Sequence, residues 1–155
     1  MRKPNTMAAA LAAAAALVVM PQPAAALSPD DASKLRQLDI MLMVTSLRCR
    51  FGADDFQADY EHFAAAQNPL MQDAFRSLQA DYTARLGLAR SKKALDSISV
   101  GMANQYGQGH PWLGCGDLKA MAQDLAATRD TGRLVAAADE ALAAAPRGAQ
   151  LALRR

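Results

Sequence analysis

Residues 33–44 read SKLRQLDIMLMV, and this segment sets the architecture of the chain. Leu35, Leu38 and Leu42 recur at helical spacing, and every position from Ile40 to Val44 is apolar. A helix with so wide an apolar surface must be covered on most sides, so we expect it at the centre of the core. A buried strand is the alternative for a short apolar run, but Leu and Met favour the helix.

Helical patterns continue on both sides of this segment. Ser28, Pro29 and the two aspartates that follow predict the start of the first helix, and Gly52 predicts its end. Five later groups of apolar residues also recur at helical spacing. Their members are Phe56, Tyr60, Phe63; Met71, Phe75, Leu78, Tyr82; Leu95, Ile98, Met102, Tyr106; Leu118, Met121, Leu125; and Leu134, Val135, Ala138, Leu142.

The boundaries of the later helices are predicted from capping residues. Asn68 and Pro69 favour a helix start, and Ser91 opens the helix after it. Asp117 is a predicted N-cap, and Pro146 is predicted to stop the last helix. No segment of useful length alternates with period two. The fold class is therefore all-α, a small irregular or orthogonal bundle of five to six helices with one disulfide.

The first 26 residues have the three-part layout of a secretory signal peptide. Arg2 and Lys3 form a positive start, an uncharged apolar run extends from Met7 to Met20, and small residues at 24–26 suit signal peptidase. The alternative is a transmembrane anchor, but the run is about 14 residues, whereas a span needs about 20. We therefore expect residues 1–26 to be cleaved.

Removal of the signal peptide leaves a neutral chain. The sequence contains 17 Lys and Arg and 15 Asp and Glu, and the two basic residues of the signal account for the difference. A neutral protein has no electrostatic reason to bind nucleic acid or an anionic membrane, and no membrane span is expected after cleavage. We expect residues 27–146 to form a single helical domain, and 147–155 a flexible tail, in a periplasmic or secreted protein.

Two cysteines, Cys49 and Cys115, are the only ones in the chain. In an exported protein an isolated pair is typical of one disulfide. The alternative is a metal site completed by His62 or His110, but the spacings C-x-x-C and H-x₃-H are missing. The sequence therefore predicts a Cys49–Cys115 disulfide, with no metal and no cofactor.

The segment GQGHPWLGCGD, residues 107–117, departs from the helical pattern. It holds four of the nine glycines and the only tryptophan. The functional interpretation is a recognition or catalytic loop, with Tyr106, His110 and Trp112 as the binding residues. The structural interpretation is a plug, in which Trp112 fills the end of the bundle and the glycines permit the disulfide.

Within this segment, His110 is the candidate catalytic residue because it titrates near neutral pH. Serine-hydrolase, haem and dinucleotide motifs are missing from the sequence. The favoured function is a non-enzymatic binding or envelope-associated protein, whose partner is an envelope protein, a cell-wall fragment or a small ligand. The alternatives are a small hydrolase that acts on cell-wall or other envelope material through residues 107–117, and a purely structural envelope component.

Two segments carry a resemblance to known proteins. LDIMLMVTSLRCRFGADDFQADY (38–60) and ISVGMANQYGQGHPWLGCGDLK (98–119) resemble a group of short exported Gram-negative bacterial proteins of no established function. Some members of that group are labelled S-adenosyl-L-homocysteine hydrolase. That enzyme has a large NAD-binding Rossmann architecture, and this chain has neither the length nor the glycine fingerprint for it.

Overall fold

The computed structural model describes residues 27–143, which form five helices and no strand. The helices are α1 (Pro29–Cys49), α2 (Gln57–Leu86), α3 (Leu88–Tyr106), α4 (Cys115–Ala127) and α5 (Thr131–Ala141). The predicted small all-α bundle with one disulfide is confirmed for this part of the chain. The predicted signal peptide, the predicted tail and Pro146 lie outside the described residues. Among residues 27–143, no helix is long and apolar enough to cross a membrane.

Helix α1 lies at the centre of the bundle and contacts all four other helices. It starts where the sequence predicts, because the Ser28 hydroxyl accepts a hydrogen bond from the Asp31 N–H at 3.0 Å and Pro29 occupies the first turn. Its buried side chains face several directions, as expected for a helix that is covered on most sides. They are Ala32, Leu35, Leu38, Ile40, Met41, Leu42, Thr45, Ser46 and Cys49.

Helix α2 continues without a break through Pro69, so the prediction of a new helix start at Asn68 and Pro69 is wrong. Proline disfavours a helix interior because it lacks a backbone N–H and crowds the preceding turn. Here Phe63 and Gln67 are buried before the proline, and Leu78 is buried after it. Packing on both sides of Pro69 therefore holds one helix where local propensity predicts two.

Two other helix starts also differ from their predictions. Helix α3 begins directly after Gly87, whose φ of +80° suits glycine, and Ser91 is buried inside its first turn. Helix α4 begins after Gly114, so Asp117 is not its N-cap. The Asp117 carboxylate instead accepts a hydrogen bond from the Gly114 N–H at 2.9 Å, and so stabilises the helix start from within the first turn.

The buried amide of Gln67 joins α2 to the end of α4. Its Nε2 donates to the carbonyl oxygens of Leu125 at 2.7 Å and Thr128 at 3.0 Å. Carbonyl groups in the last turn of a helix have no partner within the helix, so this side chain satisfies two acceptors at once. These hydrogen bonds hold α4 in place, and the first residue of α4 is Cys115, one of the two predicted disulfide residues.

Candidate functional site

The predicted disulfide between Cys49 and Cys115 is confirmed. It joins the last residue of α1 to the first residue of α4, with 5.8 Å between the two Cα atoms. Both sulfur atoms are used in this bond, so neither cysteine is free to ligate a metal or to act as a nucleophile. The bond fixes one end of the bundle, where the segment 107–114 connects α3 to α4.

His110 connects this segment to the end of α5. Its Nε2 lies 2.8 Å from the carbonyl oxygen of Ala141. Its Nδ1 accepts the backbone N–H of Leu113 at 3.1 Å and, less closely, that of Trp112 at 3.4 Å. Both ring nitrogens are therefore occupied, and the side chain fixes the turn and the end of α5 together.

These contacts also define the protonation state of His110. A carbonyl can only accept, so Nε2 carries the proton, and backbone N–H groups can only donate, so Nδ1 is unprotonated. Burial of the ring lowers its pKa below the ordinary value, and the hydrogen bond to Ala141 opposes this in part. The geometry and the pKa both favour a neutral ring with its proton on Nε2.

Three aromatic side chains form a stack at this end of the bundle. The Tyr106 and His110 rings lie 5.3 Å apart and nearly parallel, and the Trp112 ring meets His110 edge-on at 5.0 Å. Tyr106 is buried, whereas Trp112 is only half-buried and donates its indole N–H to the Ala143 carbonyl at 3.2 Å. Tyr106, predicted as a binding residue, therefore fills the end of the bundle, whereas Trp112, the predicted plug, is only partly buried and forms the outer edge of the stack.

The turn before His110 requires glycine at one position. Gly109 has a φ of +110°, a conformation that residues with a side chain rarely adopt. Its N–H donates to the Tyr106 carbonyl at 2.9 Å, which reverses the chain at the end of α3. This reversal places His110 over Tyr106 and brings the backbone of residues 108–110 to the surface.

A groove of about 400 Å³ opens between this turn and the connection from α1 to α2. The disulfide lies in its wall, and its opening is formed by the residues 51–54 and 108–110. Its lining mixes apolar groups such as Phe51 and Leu113 with one cation, Arg48, and one anion, Asp54. A concave site of this size with a few polar groups is typical of ligand recognition.

Phe51 is the most exposed large apolar side chain at the groove, with 86% of its surface accessible. The guanidinium of Arg50 lies 4.6 Å from the centre of its ring, a cation–π contact between two exposed side chains. Met43 and Leu47 precede it by eight and four residues and are also exposed. Met43 and Leu47, four residues apart, add exposed apolar surface on one side of α1, which ends at Cys49, and Phe51 follows in the connection to α2.

The structure brings together some of the predicted site residues and separates others. His110 lines the groove, but Tyr106 lies beneath it and Trp112 is not part of its lining. Sequence reasoning missed Arg48, Phe51 and Asp54. One signal in the sequence could have indicated Phe51. It is an aromatic residue that lies between Cys49, a predicted disulfide residue, and Gly52, the predicted end of the helix, outside the apolar pattern of the core.

A second polar cluster lies between α1 and α2. The Tyr60 hydroxyl donates to Asp39 at 3.2 Å, and Arg36 approaches the other carboxylate oxygen at 3.4 Å. Burial raises the pKa of Asp39, while the positive charge of Arg36 lowers it. The three groups satisfy one another, so this cluster is best explained as a polar link between the two helices.

Comparison of the chain with protein-family models, curated proteins and solved structures finds no match. Its function is therefore inferred from its own residues, and the resemblance to exported bacterial proteins stays a prediction. No group of three or more His, Cys, Asp or Glu side chains within residues 27–143 is arranged to hold a metal ion. The groove beside the disulfide is the candidate functional site.

Proposed function

We propose that the protein is an exported, non-enzymatic binding protein, and that the groove beside the disulfide holds a short extended peptide segment of an envelope protein. The observation that carries this proposal is Phe51, a large apolar side chain left 86% exposed at the mouth of a groove of about 400 Å³. Exposed aromatic side chains beside a concave surface act as binding anchors.

The lining of the groove supports a peptide as the ligand. Arg48 and Asp54 place one charge of each sign on its walls, and the Gln108 side chain adds an amide donor and acceptor. A peptide presents matching donors, acceptors and apolar side chains along its length. The groove volume suits a few residues, and Phe51 offers an apolar contact for one of their side chains.

The state of His110 favours binding over catalysis. A general base needs a free ring nitrogen, and here Nδ1 accepts backbone N–H groups while Nε2 donates to Ala141. The two cysteines are joined to each other. The hydrolase alternative would therefore require the turn at residues 108–113 to open before His110 could act.

The disulfide supports export as part of the proposal. Disulfides form and persist in oxidising compartments such as the periplasm and the extracellular space. The sequence of residues 1–26 offers a route there. The expected location is therefore the periplasm or the medium, and it is tested by the intact mass of protein recovered from a periplasmic extract.

A displayed library of random 12-residue peptides tests the binding proposal. The protein, with its disulfide intact, should enrich a family of related peptides that bind it at least about tenfold more tightly than they bind the variant Phe51→Ala. Val100→Ala is the matched control, because Val100 is also an exposed apolar residue, at 58%, but does not line the groove. This control should bind the peptides like the unaltered protein.

Two results would contradict the proposal. Peptides that bind the Phe51→Ala variant as well as the unaltered protein would exclude the groove as the recognition site. Retention on insoluble peptidoglycan, lost in Phe51→Ala, together with no enrichment of any peptide family, would assign the groove to a cell-wall glycan instead.

A further inference from the structure

We infer that the groove has an occupant within the same chain, the C-terminal segment 144–155, which reads AAPRGAQLALRR. The inference builds on the recognition role proposed above and names a ligand for that site. It makes the segment an internal competitor of any external peptide, so the protein would regulate its own binding.

The position where the described chain ends supports this occupant. The Ala143 carbonyl accepts the indole N–H of Trp112 at 3.2 Å, and the Ala141 carbonyl lies 2.8 Å from Nε2 of His110. His110 itself lines the groove. The described chain therefore ends two residues after Ala141, which is one side chain, that of His110, away from the groove.

The length of the segment is sufficient. It contains 12 residues, and a flexible chain of this length has a typical end-to-end distance of about 20 Å. Fully extended, it would span about 40 Å. Such a short connection also gives the segment a high effective concentration at the groove, on the order of millimolar.

The charges of the segment complement those of the chain that leads from the groove into α2, whereas the groove wall itself holds one charge of each sign, Arg48 and Asp54. The segment carries three arginines, Arg147, Arg154 and Arg155, and no acidic residue. The chain that follows the mouth of the groove carries four carboxylates and no basic residue between positions 54 and 61. They are Asp54, Asp55, Asp59 and Glu61. Within residues 27–143, none of these four carboxylate groups lies within 4.0 Å of a Lys or Arg side-chain nitrogen, and the Lys119 ammonium donates to the backbone carbonyl of Asp55 at 3.1 Å instead.

The apolar side chains of the segment can contact the exposed apolar surface beside the groove. Leu151 and Leu153 are its only large apolar side chains. Phe51 and Leu47 offer them exposed apolar surface at the mouth of the groove and along α1. Contact between these groups would remove apolar area from water on both sides, which stabilises the docked state.

Hydrogen exchange in the intact protein tests this inference. Replacement of Leu151 and Leu153 by alanine should speed exchange of the amides of residues 50–54 and 108–114 by about tenfold, because the segment loses its apolar contacts and occupies the groove for less of the time. The matched control is Leu86→Ala with Leu88→Ala, which removes two exposed leucines at the junction of α2 and α3. It should leave exchange at the groove unchanged.

A synthetic peptide of residues 144–155, added to the Leu151→Ala/Leu153→Ala variant, should restore the slow exchange. The same peptide with both leucines replaced by alanine should not restore it. Unchanged exchange in the variant would overturn the inference, and so would protection that depends on protein concentration, since that would assign the segment to a second copy. Neither result affects selection of external peptides by the groove, so failure here is distinct from failure of the proposed function.

Discussion

The middle of α1 and the groove end of the molecule are stabilised in different ways. Around Leu38 and Leu42, apolar side chains from neighbouring helices cover α1, and stability comes from many interchangeable contacts. At the groove, a disulfide, the hydrogen bonds of His110 and one aromatic stack hold the chain. A disulfide and directional hydrogen bonds can fix a segment at the protein surface without burying it, so its backbone and side chains stay accessible to a ligand.

The difference follows from composition. Alanine is abundant in this chain and supplies little apolar area per residue. Among the described residues, five of the twelve largest fully buried side chains lie in α1, and none of the twelve lies within the segment 107–114. A covalent bond and directional hydrogen bonds replace apolar burial there, and each of them can be removed by a single or paired substitution.

The largest effect is expected from Leu38→Ala in the middle of α1. Leu38 is fully buried, so the substitution should lower the free energy of unfolding by about 2–5 kcal/mol through lost burial and the cavity left behind. Chemical denaturation of the purified protein measures it. If Leu38→Ala lowers the free energy of unfolding by less than removal of the disulfide does, the groove end, and not the middle of α1, is the main source of stability.

Removal of the disulfide by Cys49→Ala with Cys115→Ala should have the next largest effect. The bond closes a loop with a sequence separation of 66 residues, and its loss should cost about 2–4 kcal/mol of unfolding free energy. The same denaturation experiment, run beside reduced unaltered protein, checks the value. If the stability is unchanged, the hydrogen bonds of His110 hold this end by themselves.

His110→Ala should lower the free energy of unfolding by about 1–3 kcal/mol, because the Ala141 carbonyl and the Leu113 N–H lose their partner. His62→Ala is the matched control, since His62 is exposed on α2. It should change stability little. If both substitutions lower the free energy of unfolding equally, the hydrogen bonds of His110 do not stabilise this end of the bundle.

The stability should also depend on pH through His110. Burial lowers its pKa below the ordinary value of 6.5, so the unfolded chain binds this proton more readily than the folded chain. The stability contributed by the neutral ring is therefore present above pH 6.5 and is lost as the pH falls below that value. The difference in unfolding free energy between the unaltered protein and His110→Ala should therefore become smaller as the pH falls below 6.5. The raised pKa of Asp39 affects both proteins alike and cancels in the difference.

The smallest effect on stability is expected from Phe51→Ala. The ring is almost fully exposed, so the unfolding free energy should change by less than about 0.5 kcal/mol. Peptide binding should nevertheless fall. A large loss of stability would show that Phe51 packs against the protein and would weaken its assignment as an anchor.

Sequence reasoning predicted the core helix and the disulfide because both depend on strong local signals. The apolar run in α1 admits few alternatives, and two cysteines allow one pairing. The boundary at Pro69 was wrong because burial of Phe63 and Gln67 outweighs the local preference of proline. The burial of Phe63 and Gln67 depends on helices that are distant in the sequence, so it cannot be predicted from the helix propensities of the residues around Pro69.

The candidate site was predicted in part for a related reason. The glycine-rich composition of residues 107–117 indicated a loop, and residues 107–114 do connect α3 to α4, although 115–117 belong to α4. The partial exposure of Trp112 and the nearly full exposure of Phe51 depend on where α1, α3 and α4 end in space. Residue type alone favours burial for both aromatics. The hydrogen bonds of His110 to Ala141 and Leu113 join parts of the chain that no local pattern connects.

Gln67 has a consequence for the order in which the chain folds. Helix α4 has 13 residues, which is marginal for an isolated helix in water. Its final carbonyl groups are satisfied by a side chain that lies 58 and 61 positions earlier in the chain. Contacts over such separations form late, because the loop between them must close first. We therefore expect the last turn of α4 to become stable only when α2 has docked, so that the two helices gain their stability together.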